Sequence, residues 1–450
     1  MAFSDSLLNR IRSQVFLEHK SGLVKSAQLL FALVIARVTL FLAFVLLLRK
    51  MGPAQFGTFF LGYSTLAFVP LIADMGIGQT FVRHISFYRT SRPQFAAYLH
   101  RLFFILKSVS VAIVLLVAMP VVPLAARFLN LQSQQLLMAV AIMGSGAVIL
   151  SEYANAVFQS QCLFRRYELY LFLRNTLFLA AVPALATWHR AFLAPAPLIL
   201  AIVLINLALA ASAYPYISRL WHGAIGKFSE FRSNLIRYSK WLTVSAICFA
   251  LYRRMDIYFL SHFRSAHEVG IYSVAVVLVE PVAMMSPALA TVFLPQISGQ
   301  PTNSKLLWYI RLVAAVCSLV FIGICFYVTI LRLLFRFLSP EYREALPVAV
   351  LLLCGTVLLI GYNMLSLVFL ASDRPHLFGQ IALAMAVCSL IANWFAVPAY
   401  GVMGAAAVYG LCQALGILLA TLSIRKLLRA GTLVLHLESD SIPAAESVLT

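Results

Sequence analysis

Arg253, Arg254 and Asp256 sit in one apolar run, and Glu280, followed by Pro281, sits in the next; both runs belong to the stretch 235–298. A charged side chain at the centre of a bilayer costs roughly 2.5–3.5 kcal/mol even on the lenient insertion scale. Four such groups cannot face lipid, so a polar space has to run between the helices that carry them. Two chemistries suit these residue types. Arginine's planar fork grips phosphate or carboxylate, and a carboxylate beside a helix break in the membrane takes up a proton or a cation.

Spacing divides the roles. Arg253 and Asp256 stand at i,i+3 and share a helix face, which allows a self-neutralising pair. Arg254 points about 100° away and is left for Glu280 or for a ligand. Glu280 shares its face with Ser273 and Met284, at i, i+7 and i+11, and Pro281 removes a backbone bond beside it. It reads either as a coupling-ion site or as the fixed partner of Arg254. Arg37, in the middle of the first apolar run, is far from both interfaces and is a candidate for facing the cavity. Asp74, late in the second run, is either a helix-end carboxylate or a coupling group. Lys107, Arg174 and Arg311 lie near the inner ends of their runs, where snorkelling accounts for them and a cationic vestibule is the alternative; Glu152 is a candidate partner for Arg174. Asn363, Gln380, Asn393 and Gln413 read as helix-packing groups. Across all runs six Lys/Arg stand against four carboxylates, an excess that favours an anionic cargo.

The elements that must position these groups follow from composition. The 450 residues are 62% hydrophobic and 11% charged, whereas soluble domains are about half apolar and a quarter charged. The expected fold is therefore all-α and integral to the membrane, with about twelve transmembrane helices. The spans are placed near 27–48, 57–80, 102–126, 134–158, 168–187, 196–216, 240–261, 270–294, 306–331, 346–370, 378–397 and 402–424. With the N-terminus inside, inner segments hold 20 Lys/Arg and outer loops 8, so the positive-inside rule puts both termini in the cytoplasm. An internal repeat with an offset of 212–213 sets PAQFGTF at 53–59 against AHEVGIY at 266–272, and VRHIS at 82–86 against LPQIS at 294–298. It predicts two parallel six-helix lobes around a central polar cavity. The divisions are a cytoplasmic segment 1–26, a lobe 27–216, a basic and aromatic linker 217–239, a second lobe 240–424 and a cytoplasmic tail 425–450.

Several classes are disfavoured. The polar, basic residues 1–26 do not read as a cleavable signal. The seven cysteines form no CxxC pair, so neither a disulfide framework nor a metal site is indicated, and no cofactor is expected. The net charge of +19 is spread over short loops rather than a basic domain, so membrane lipids and an anionic cargo, not nucleic acid, are the expected partners. A membrane sugar polymerase or ligase needs catalytic groups in a sizeable outer loop. The longest expected outer loop, 332–345, offers Arg332, Arg336, Glu341, Arg343 and Glu344 without a paired-carboxylate or His–Asp arrangement.

RKMGPAQFG at 49–57 with LIADMGIGQTFVRHIS at 71–86 resembles the opening of the polysaccharide-transporter, or Wzx-type flippase, family. EVGIYSVA at 268–275, leading to FLPQIS at 293–298, is similar to that family's central signature, and LSPEYREALPV at 338–348 and YGVMGAAAVYG at 400–410 fit in the same order. The resemblance implies the multidrug/oligosaccharidyl-lipid/polysaccharide exporter superfamily and alternating access. It also implies a polyprenyl-pyrophosphate-linked sugar repeat unit as cargo, carried across the bacterial inner membrane, with a polysaccharide polymerase and a chain-length regulator as partners. A cation-coupled drug or small-molecule exporter of the same superfamily is the alternative. By position the substrate-binding candidates are Arg37, Arg253, Arg254 and Arg174, and the coupling-ion or charge-pair candidates are Asp74, Asp256 and Glu280. The run RRMD at 253–256 is more charged than the family's stretch there.

Overall fold

Lipid offers no hydrogen-bond partners, so apolar runs must satisfy their backbone internally as helices. The computed structural model of the protein describes residues 34–429 apart from 75, 189–193, 224, 226–227, 288, 291–292, 294–302, 338–339 and 373, and no strand occurs among the described residues. The segment 1–26, the tail from 430 and the repeat arm 294–298 lie outside them. The helices are α1 (34–50), α2 (Pro53–Asp74), α3 (Ile77–Ser91), α4 (Pro93–Phe128), α5 (Gln135–Ser160), α6 (Phe164–Trp188) and α7 (Pro195–Arg219). They continue as α8 (Phe228–Phe263), α9 (Ala266–Ala283), α10 (Asn303–Phe337), α11 (Ala345–Ala371) and α12 (Pro375–Arg429).

Among the described residues nine segments are long and apolar enough to cross a membrane, and the protein is a multi-pass membrane protein. Of the three other expected spans, α1 is described only from residue 34, α8 carries Arg253, Arg254 and Asp256, and α12 counts once although Gly401 breaks it with φ 56° and ψ −134°.

Two expectations are corrected, and the stretch 217–239 gains detail. The second span ends at Asp74, where Gly76 turns left-handed (φ 66°), and a separate helix, α3, occupies much of the expected loop after it. α8 begins at Phe228, so the second half of the stretch 217–239 is helical and continuous with the span that follows. α10 runs to Phe337 and a 3-10 turn covers Pro340–Glu344, which shortens the expected loop 332–345.

Local sequence sets the helix ends. Proline opens α2, α4, α7 and α12, where its missing N–H goes unused. Ser265 caps α9 by accepting from the Glu268 N–H at 3.3 Å. At the Gly401 break Arg264 donates to the Pro398 carbonyl at 2.7 Å and to the Val397 carbonyl at 3.2 Å, satisfying acceptors that a helix terminus would leave open.

α2 packs on α9, α5 and α8, α5 on α4 and α7, and α12 on α8 and α11. One core joins Phe56, Phe59 and Phe60 of α2 to Ile257 and Leu260 of α8 and to Val274 and Leu278 of α9. At the end of the bundle where α2 and α9 begin, polar contacts tie early helices to late ones. Tyr342 Oη donates to the Met51 carbonyl at 2.7 Å and Ser261 Oγ to the Leu129 carbonyl at 2.8 Å. His262 Nδ1 lies 2.6 Å from the Phe128 carbonyl, and the two rings stack at 4.3 Å.

Candidate functional site

α1, α2, α8, α9 and α10 line an open cavity of about 480 Å³. Its polar lining is Arg37 from α1, Tyr63 from α2, Arg254 from α8, Glu280 from α9 and Tyr327 from α10; Phe41, Phe60, Val276 and Met284 are among its apolar walls. Tyr327 Oη donates to the Leu278 carbonyl at 2.8 Å, which holds α10 against α9. A smaller chamber of about 160 Å³ adjoins it and shares Arg37, Leu40 and Tyr63; Glu152, Arg174, Asn175 and Asn206 line the remainder. Asn175 donates to the Ala36 carbonyl at 2.5 Å, fastening α6 to α1 beside Arg37.

Arg37, Arg254 and Glu280 are thus brought together from helices far apart in sequence. Arg174 is near them through the side chamber. The larger cavity carries two guanidinium groups against one carboxylate. Among the described residues the ion pairs within 4 Å are Lys107–Asp74 and Arg264–Glu268. Arg254 and Glu280 therefore share a wall without a direct pair, and Arg174 and Glu152 do the same in the side chamber. Groups held this way keep their hydrogen-bonding capacity for a guest.

The remaining candidates lie elsewhere. Asp256 does not pair with Arg253 at the i,i+3 spacing. It is buried, accepts from Tyr272 Oη and takes the Ile257 N–H at 2.8 Å, because a fixed hydroxyl on neighbouring α9 satisfies a buried carboxylate at less conformational cost than a long arginine chain. Arg253 is exposed and lines neither cavity, but it stands near enough to Glu280 for that carboxylate to be the charge acting on it most strongly. Asp74 pairs with Lys107, which is 3% exposed, and accepts the Gly78 N–H at 3.3 Å. Lys107 therefore does not snorkel; it is consumed by that pair. Four polar lining groups, Tyr63, Asn175, Asn206 and Tyr327, escaped the sequence reading. Asn206 is buried with an amide oxygen that has no partner among the described residues, and an asparagine within LINLAL was its one signal. Tyr63 had none, since a tyrosine in an aromatic run is ordinary core.

The sequence pattern of a polysaccharide biosynthesis protein family matches residues 23–300. The chain belongs to that family. Three solved structures share its fold. A lipid II flippase, MurJ, in an inward closed conformation superposes with a TM-score of 0.66 at 12% identity, covering 89% of this chain and 87% of that one. An inward-facing multidrug resistance transporter of the MATE family in the MOP superfamily gives 0.65 at 15%, covering 88% and 99%. The MATE multidrug transporter DinF-BH gives 0.58 at 13%, covering 89% and 95%. No curated protein matches by sequence. This member of the polysaccharide biosynthesis family therefore has the fold of MOP-type flippases and transporters.

Proposed function

We propose that this protein is a flippase that carries a polyprenyl-pyrophosphate-linked oligosaccharide across the bacterial inner membrane by alternating access, for O-antigen, capsule or exopolysaccharide synthesis. The observation that carries the reading is the cavity of about 480 Å³ lined by Arg37, Arg254 and Glu280. A pyrophosphate offers the paired phosphate oxygens that guanidinium forks grip bidentately. The apolar walls at Phe41, Val276 and Met284 leave room for the part of the cargo nearest the lipid. In this reading residues 27–216 and 240–424 are two lobes that rock against each other, and 217–239 joins them in the cytoplasm, where both termini also lie. The cargo shifts their balance through differential binding to the two states, and Glu280 supplies the coupling by taking up a proton or cation. Arg174 holds the headgroup from the side chamber. No chemistry is performed on the cargo, so the protein is not an enzyme. A polymerase and a chain-length regulator act on the product.

The alternative, a cation-coupled exporter of the same superfamily, wants an acidic pocket, and two arginines against one carboxylate disfavour it. The test is clearance of lipid-linked repeat units from the inner face in a strain lacking its own flippase, with protein levels checked. Wild type is expected to clear them, and Arg254→Ala and Glu280→Gln to insert normally and fail. A wild type inert toward several unrelated repeat units would overturn the cargo assignment.

A further inference from the structure

The internal repeat aligns Gly57 with Gly270, 213 residues later. In the fold these two glycines meet each other. A Cβ built on Gly57 would stand 2.5 Å from the Gly270 nitrogen and 2.9 Å from its Cα, and would also press on the Ala266 carbonyl. A Cβ built on Gly270 would stand 3.0 Å from the Pro53 Cα, with the Pro53 carbonyl nearer still. Pro53 and Ala266 are themselves repeat equivalents and open α2 and α9. The contact is thus reciprocal: each glycine abuts the start of the other's helix. Such self-complementary packing is the mark of a two-fold interface, here within one chain. The backbones pass so closely that only residues without a side chain fit, as at small-residue crossings of membrane helices.

This crossing lies at one end of the cavity. Phe60, one turn along α2, and Val276 and Val277, two turns along α9, line the space beyond it. The hydrogen bonds from Tyr342 to Met51, from Ser261 to Leu129 and from Asn130 to the His262 carbonyl (2.8 Å) surround it at the same end. The charge bias of the loops assigns that end to the outside. We propose that the Gly57–Gly270 crossing is the outer closure of the transport path. The two repeats seal against each other on their own pseudo-two-fold axis, and the seal must part for the outward-open state. Substituting either glycine wedges α2 from α9 and biases the protein toward that state. The proposal concerns access and holds for any cargo.

The experiment uses right-side-out membrane vesicles holding the full-length protein with Val276→Cys as reporter. A membrane-impermeant maleimide is added outside, and modification of the reporter peptide is followed by mass spectrometry, which separates it from the native cysteines. The reporter alone is expected to label slowly. Gly57→Ala and Gly270→Ala should each label about tenfold faster, and the double variant no faster than the quicker single one, because both remove the same contact. Gly62→Ala is the control, since the nearest atoms its Cβ would meet are side-chain atoms of Leu137 and Ile199 within the early helices; it should leave the rate unchanged. Tyr342→Phe adds no bulk and removes one clasp, and should speed labelling in the same direction if the glycine variants do not insert. Rates equal to the reporter alone, equal acceleration by Gly62→Ala, or a reporter already open to the outside would overturn the proposal.

Discussion

At the scale of single residues, what separates a site from a scaffold is whether a buried charge already has a partner. Asp74 and Lys107 consume each other, and Asp256 is held by Tyr272 and its own neighbour's N–H. Removing one member of such a buried pair leaves an uncompensated charge and costs about 3–5 kcal/mol. Lys107→Met is therefore expected to lower the melting temperature of the purified protein sharply, and adding Asp74→Asn to recover much of the loss. An unchanged melting temperature for Lys107→Met would contradict the pairing. Tyr272→Phe removes one hydrogen bond to a buried carboxylate, worth about 1.5–3 kcal/mol, and the same thermal melt reads it. Arg37, Arg254 and Glu280 differ in making no ion pair within 4 Å among the described residues, although the charge of Arg253 acts on Glu280. Their mid-span positions are visible in the sequence because charge inside an apolar run needs a reason. That Asp256 turns to Tyr272 is not visible there, since tyrosine at 272 looks like ordinary signature sequence and their meeting is tertiary. Lys107 departs from expectation for the same reason: position in a span says how far an interface is, not whether a carboxylate stands opposite.

At the scale of elements, hydropathy locates the helices and glycine locates their breaks. The apolar runs are legible because lipid forces each one into a helix. The turn between α2 and α3 rests on Gly76 in the left-handed region, and the run MGIG is its trace in the sequence. The continuation of α8 back to Phe228 has no such trace, since the stretch is polar and aromatic and its helix propensity is average. The kink in α12 joins two elements through one side chain. Gly401 has a φ that disfavours any other residue, and Arg264 from the α8–α9 turn caps the carbonyls before it. Arg264→Ala should leave those carbonyls unmet and cost about 1–3 kcal/mol. Hydrogen exchange around 395–401 is expected to quicken with it, and unchanged exchange would show the cap to be unimportant.

At the scale of the whole molecule, distant parts of the chain meet to make one polar space in an apolar body. Arg37 and Glu280 are separated by most of the described chain, and helix packing brings them to one wall. The repeat in the sequence hints at this arrangement, for equivalent helices of two parallel halves meet where their axis runs. In the proposed function this space takes an anion held by arginine. The most direct test is equilibrium binding of a short-chain prenyl pyrophosphate and of the matching uncharged prenyl alcohol to the purified full-length protein. The pyrophosphate is expected to bind well above the alcohol, and Arg37→Ala and Arg254→Ala each to weaken it by about tenfold or more while leaving the alcohol unaffected. Equal binding of alcohol and pyrophosphate, or variants that hold the pyrophosphate as wild type does, would contradict the proposed function.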